Sequence, residues 1–243
     1  MKQVKLANYR DILLNLPPIM TLNKKQLLID ELHVTDVSSL KLYYAPHNDV
    51  VYSDAKLLIV GLTPGFQQMR LALAAAQAAI WEGEDDTTAC YRAKQKARFA
   101  GSMRINLIGM MNELGIQHWL RLASSEELFE QYAAWLHSTS MIRYPAFING
   151  RNYSGTQPDL MNIEAIRMYA YEHMEEQVTM FPHIPIIPLG RKVEAIMRML
   201  VEREIVDEAR VLWGFPHPSG ANGHRHQQFA EKKFSMMQQI KRW

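Results

Sequence analysis

Cysteine is almost missing from this chain: Cys90 stands alone among 243 residues. A single thiol excludes an internal disulfide and any zinc or iron–sulfur site built from several thiolates, and it fits a reducing compartment. Long apolar runs are missing too. No stretch approaches the roughly 20 residues that a membrane helix needs, and the opening Met1-Lys2-Gln3-Val4-Lys5 leads into no signal-peptide core. The expectation is a cytoplasmic, monomeric protein with no membrane contact. Formal charge is close to balance at +2, so any argument about partners rests on how the charge is distributed.

Hydrophobic residues at 48% and charged residues at 21% are ordinary for a globular protein. The length suits one α/β domain over residues 1–243 with its own core. Nothing repeats internally, and no low-complexity linker divides the chain.

The stretch Lys56-Leu57-Leu58-Ile59-Val60-Gly61-Leu62-Thr63-Pro64-Gly65-Phe66 organises the rest. Four consecutive apolar residues without polar alternation predict a strand buried on both faces, as in a parallel sheet. Two glycines and a proline then force a sharp turn. An open α/β sheet holds its ligand beyond the carboxyl ends of its strands, which marks this turn for chemistry.

Residues 1–45 read as a helical extension, with Tyr9, Ile12, Leu13 and Leu16 at helical spacing and a second helix over Lys24–His33. Residues 67–98, rich in alanine and glutamine, read as a helical insertion. Phe99-Ala100-Gly101 opens another helix that Gly115 ends. Helix is also expected over Ser125–His137. Further strands are expected at Tyr144–Asn149, Ile184–Leu189 and Val211–Pro216, followed by a final helix from about His224. Strand and helix alternate, which implies a three-layer α/β/α fold with a central four-stranded, mostly parallel sheet.

From Thr87 to Asn112 there is no acid, whereas Arg92, Lys94, Lys96, Arg98 and Arg104 occur. Such a run reads either as a solvated helix face or as a phosphate-tracking surface.

Three expected strand ends carry small or functional residues: Gly61–Phe66, Asn149 and His217–Gly220. In this order they resemble the uracil-DNA glycosylase superfamily. Gly61-Leu62-Thr63-Pro64-Gly65 looks like its first motif, and Phe99-Ala100-Gly101 like its base-stacking aromatic. Ala146-Phe147-Ile148-Asn149 is similar to the strand whose terminal Asn reads the pyrimidine edge. Ile187-Pro188-Leu189-Gly190 is similar to a structural strand turn, and His217-Pro218-Ser219-Gly220 resembles the last motif, which holds the catalytic His.

The resemblance covers roughly residues 45–240. It implies a monofunctional DNA glycosylase that needs neither metal nor organic cofactor, with DNA as partner. His217 would stabilise the leaving base, Asn149 read it, Phe99 stack on it and Thr63 hold water. Gly61, Leu62, Pro64, Gly65, Phe66 and Asn152 would line the pocket. Ser219, Gly220, Asn222, His224 and Arg225 would meet the DNA.

The chemistry is consistent with that assignment. Breaking an N-glycosidic bond builds negative charge on the departing base, where a preorganised donor such as His217 acts. An amide such as Asn149 pairs with both donor and acceptor of a pyrimidine, and the base must first leave the stack.

Two departures stand out. The first motif usually carries a water-positioning Asp, Asn or neighbouring Glu. Here Leu62 and Thr63 occupy those positions, so either the step is largely dissociative or a carboxylate such as Asp85, Asp86 or Asp159 assists. In the strictly uracil-specific branch a Tyr stands at the position of Gly65 and blocks C5 of the base. Its loss, with the long 67–98 segment, points to a C5-modified pyrimidine, such as a bulky modified cytosine of phage DNA, and to a defence role.

The alternatives are ordinary uracil or mismatch repair, a DNA-binding protein without catalysis, and a metal hydrolase using His217, His224 and His226, whose spacing fits no standard zinc pattern. Ser219 lies outside a Gly-x-Ser-x-Gly elbow, and the 61–65 turn is no nucleotide fingerprint.

Overall fold

In the computed structural model, which describes residues 5–243, the elements follow in the order β1 (His33–Val37), β2 (Leu40–Tyr43), β3 (Leu57–Gly61), α1 (Phe66–Trp81), α2 (Asp86–Ala97), α3 (Ser102–Leu114), β4 (Leu136–Ser140), β5 (Ala146–Ile148), β6 (Arg151–Asn152), α4 (Glu164–Met180), β7 (Ile186–Pro188), α5 (Arg191–Glu202) and α6 (Arg225–Ile240), with shorter helical turns between them. The opening residues Met1–Val4 lie outside the described range. The architecture is mixed α/β. By density of contacts the chain forms two compact units, one of residues 1–51, 63–100 and 142–159, the other of residues 52–62, 101–141 and 160–243.

The first unit carries an antiparallel sheet in the order β1-β2-β5-β6. A two-residue turn at Ser38-Ser39 closes the β1–β2 hairpin, with Val37 opposite Leu40, and β2 then pairs with β5, Leu42 opposite Ala146. The helical extension expected over 1–45 is not what forms: among the described residues helix is confined to short pieces, among them Arg10–Asn15 and Lys24–Leu27, and residues 33–43 form this hairpin. Helices α1 and α2 fill the expected 67–98 helical segment and pack on each other. Alanines at Ala72, Ala76, Ala79, Ala89, Ala93 and Ala97 are all fully buried, and side chains that small let two helices approach closely. Gln77, 2% exposed, ties the N-terminal segment to α1: its amide donates to Leu13 O (2.8 Å) and Leu16 O (3.0 Å), and its oxygen accepts from Ile19 N (2.9 Å).

The second unit is built on a parallel sheet in the order β4-β3-β7. Strand β3 is buried along its whole length, as an uninterrupted apolar run between two neighbours requires. Three strands replace the expected four. Val211 adds only an isolated parallel bridge to Ile186, because the chain turns away at once through Trp213-Gly214. The strand expected at Tyr144–Asn149 belongs to the antiparallel sheet of the first unit. The parallel neighbour of β3 is β4, which falls where helix was expected over Ser125–His137. That stretch holds only short 3₁₀ turns, Ser125–Phe129 and Ala133–Trp135, before β4 begins. Among the described residues, no helix is long and apolar enough to cross a membrane.

Candidate functional site

In the second unit the carboxyl ends of the parallel strands align, with Gly61 opposite Ser140 and Val60 opposite Pro188. Backbone hydrogen bonds extend the alignment: Leu189 N donates to Val60 O (2.9 Å), Gly190 N to Phe215 O (2.9 Å) and Met141 N to Gly61 O (2.9 Å). This edge seats His217. Gly190 has φ +88°, and a Cβ built there would stand 3.1 Å from His217 Cβ and 3.4 Å from His217 N. A glycine is therefore what lets the His217 backbone lie against the turn after β7.

The imidazole is half-buried. Its Nδ1 accepts from Ser219 N at 3.3 Å, which places the proton of the neutral ring on Nε2. Burial lowers its pKa below the ordinary histidine value, so the ring stays neutral at physiological pH and Nε2–H is available as a donor. The loop that follows holds itself together. Asn222 Nδ2 donates to His217 O (3.1 Å) and to Gln228 Oε1 (3.0 Å), Ala221 N to Ser219 Oγ (3.2 Å), and Arg225 Nη1 to Asn222 O (3.3 Å). From α3, Asn106 Nδ2 donates to Pro218 O at 2.8 Å. Gly220 and His224 are exposed, and Leu62 is half-buried beside Gly61.

In the first unit the turn after β3 is fixed by its threonine. Thr63 Oγ1 donates to Tyr144 O (2.9 Å) and accepts from Ala146 N (3.1 Å), which leaves that hydroxyl one lone pair to accept from water. Pro64 is buried. Asn152 caps the start of α1: its Oδ1 accepts from Phe66 N (3.3 Å), and its Nδ2 lies 3.4 Å from where a Cβ of Gly65 would be. A β-carbon at residue 65 would therefore stand in ordinary contact with this amide. Lys24 Nζ and Arg70 lie 5.3 and 5.8 Å from the centre of the Phe66 ring. Phe99, 6% exposed, has φ +51°, an outlier for an aromatic residue that costs about 1–3 kcal/mol wherever it is held.

Asn149 departs from expectation. It ends no parallel strand. With Gly150 (φ +72°) it forms the two-residue turn of the β5–β6 hairpin at φ +48°, the mirror-image turn that Asn-Gly favours. Its side chain is exposed and makes no hydrogen bond among the described residues. The polar residue at the end of the strand beside β3 is instead Ser140, 9% exposed, preceded by Thr139 and Ser138. The sequence signal was a run of hydroxyl residues between Leu136 and Met141.

Asp85 N-caps α2 by accepting from Thr88 N (2.7 Å), and Asp86 pairs with Arg10 at 2.5 Å, so two of the three candidate water-activating acids hold local structure. The acid missed in the sequence is Asp49, whose side chain is 1% exposed and bonded to Tyr44, Tyr144 and Arg143. Among the described residues, no three His, Cys, Asp or Glu side chains are grouped to hold a metal.

No family model matches the chain, and no solved structure matches it. It is 36% identical over 225 residues to YoxB, an uncharacterized protein of Bacillus subtilis (strain 168), and the match spans 91% of this chain and 87% of YoxB. At that identity and coverage, the chain belongs to the same family as YoxB.

Proposed function

We propose that this protein is a monofunctional DNA glycosylase with a uracil-DNA glycosylase-like, layered α/β fold. It hydrolyses the N-glycosidic bond of a flipped-out pyrimidine and leaves an abasic site. The observation that carries the reading is the state of His217: a neutral imidazole at the carboxyl edge of a parallel sheet, with its proton on Nε2 because Nδ1 accepts from Ser219 N.

As the bond to the sugar breaks, the electron pair stays with the base. Negative charge grows on its ring nitrogen and spreads to the adjacent carbonyl oxygen. Nε2–H donates to that oxygen, and a fixed donor in a water-poor site supplies the largest share of such catalysis. A neutral donor stabilises the base as an anion without surrendering its proton. By the resemblance, the roles of reading the pyrimidine edge and of stacking on it fall to Asn149 and Phe99. Water attacks the anomeric carbon from the opposite face. Thr63 orients this water by accepting a hydrogen bond and acts as no base; the proton that the water sheds after attack passes to solvent and neutralises the departed base anion, in keeping with a largely dissociative step.

The substrate class follows from Gly65. With no ring at that position and the Asn152 amide beside it, the C5 side of the base meets a small polar wall. A pyrimidine bearing a hydroxylated or glucosylated C5 substituent suits such a wall, which fits defence against phage DNA carrying modified cytosine. Incubation with oligonucleotides containing uracil, 5-hydroxymethylcytosine or its glucoside, followed by alkaline scission, tests both parts. Cleavage confined to uracil would turn the reading into repair. DNA binding without any abasic site would make the protein a binding module.

A further inference from the structure

A cleft opens at the amino edge of the parallel sheet in the second unit. Lys56 directly precedes β3 and Pro185 directly precedes β7. Both line a cavity of about 480 Å³, together with Trp119, Arg121 and His183. Strand β3 runs five residues from this edge to Gly61, roughly 16 Å at about 3.3 Å per residue. The cleft therefore lies on the opposite edge of the sheet from His217. Its volume is that of a small-molecule site, and every residue lining it belongs to the second unit.

The lining is one-sided in charge: it holds a lysine, an arginine and a histidine, and no acid. All three are exposed. Among the described residues, none of their side chains pairs with a carboxylate or makes a hydrogen bond. Lys56 Nζ sits 3.1 Å from the centre of the Trp135 ring, a contact that holds the ammonium without cancelling its charge. Trp119, half-buried, meets Trp243 edge to face with ring centres 5.4 Å apart, which braces its indole. Arg121 stands at φ +59° just after the short helix Ile116–Trp119. That left-handed place usually goes to glycine or asparagine, and strain held by a larger residue gathers at ligand clamps.

Cations that border one cleft without an acid repel one another, and a bound anion relieves that repulsion. A guanidinium fork and an ammonium recognise phosphate oxygens, and an indole is a platform on which a nucleobase stacks. We propose that this cleft binds a nucleoside 5′-monophosphate, its phosphate held by Lys56, Arg121 and His183 and its base against Trp119. A concave site of this size suits a free nucleotide, whereas a nucleic-acid strand needs cations spread along a track. The inference is independent of the proposed glycosylase activity, whose His217 lies at the other edge of the sheet.

Calorimetric titration of the full chain with adenosine 5′-monophosphate tests this. The expected result is saturable one-to-one binding, with adenosine and inorganic phosphate each weaker by about tenfold or more, since each keeps only part of the contacts. Arg121→Gly separates binding from folding. Glycine relieves the strain at φ +59°, so this variant should unfold at an unchanged or higher temperature, while its affinity for the nucleotide falls by about tenfold or more. Trp119→Leu should remove the preference for the nucleotide over inorganic phosphate; should that variant not fold, Arg121→Gly decides the matter. Absence of saturable binding, equal affinity of the unaltered protein for nucleotide and phosphate, or an unchanged affinity in Arg121→Gly would overturn the assignment. Loss of nucleotide binding in His217→Gln would move the ligand to the other edge and overturn it as well. A single-stranded oligonucleotide without a terminal phosphate that competes as well as the mononucleotide would overturn the restriction to free nucleotides.

Discussion

Gly190 and His217 stand so close that a β-carbon on the glycine would come within 3.1 Å of the histidine's Cβ. Residue 190 also holds φ +88°, which an L side chain rarely adopts. Gly190→Ala therefore meets both backbone strain and a tight contact with His217 Cβ. The expected loss is about 1–3 kcal/mol, or several degrees in Tm for a chain of this size, together with slower base release as His217 shifts. Calorimetry paired with a cleavage assay reads both. An unchanged Tm would mean that the 190 turn does not hold the histidine loop.

Substitution of His217 itself separates chemistry from folding. His217→Gln leaves the loop's other hydrogen bonds in place, so the variant should fold. Base release should fall by roughly 10²–10³, the usual cost of removing one donor to developing charge. Loss of structure by circular dichroism would make the residue structural first.

Thr63 bridges Tyr144 O and Ala146 N. Thr63→Val leaves both backbone groups without that partner and should cost about 1–3 kcal/mol in urea unfolding, whereas Thr63→Ser should retain most of the stability. Equal stability of the two variants would deny the bridge its role.

Stability should also respond to acid through His47. Its folded pKa, about 3, lies below the ordinary 6.5 or so of the unfolded chain. The unfolded state therefore binds more protons between those values, and stability is lost as pH falls below about 6.5. Between pH 6 and pH 4 this one group accounts for about 2 kcal/mol. His47→Phe should flatten that part of the pH–stability curve measured by denaturant titration, and an unaltered slope would contradict the assignment.

How far these features were legible depended on which physical signal the residues carried. Strand β3 and its turn were readable because four apolar residues followed by Gly-x-x-Pro-Gly admit few structures. The 67–98 helices were readable from alanine. Strand β4 was not: His137, Ser138, Thr139 and Ser140 are all buried, yet they present neither an apolar run nor an alternation. Asn149-Gly150 carried a plain hairpin signal, but likeness to a strand-end motif outweighed it. Lys94 and Arg98 read as surface because lysine and arginine are rarely fully buried. Only tertiary packing reveals them as interior. His217 was legible through its neighbours, although the glycine that seats it and the Ser219 amide that sets its tautomer emerged only with the structure.

Substrate choice can be probed at Gly65. Gly65→Tyr places a ring beside the Asn152 amide. It should suppress cleavage at C5-substituted cytosines by at least about tenfold while sparing uracil. Asn149→Ala should slow release of every substrate. A full rate in that variant would transfer base reading to Ser140 at the end of β4.

The central claim is base excision by His217, and product analysis tests it most directly. Purified protein is incubated with oligonucleotides that differ only in one pyrimidine, and abasic sites are scored by alkaline scission. The account predicts scission at the C5-modified cytosine with the unaltered protein and little or none with His217→Gln. No abasic site on any substrate, or equal scission by both proteins, would contradict it.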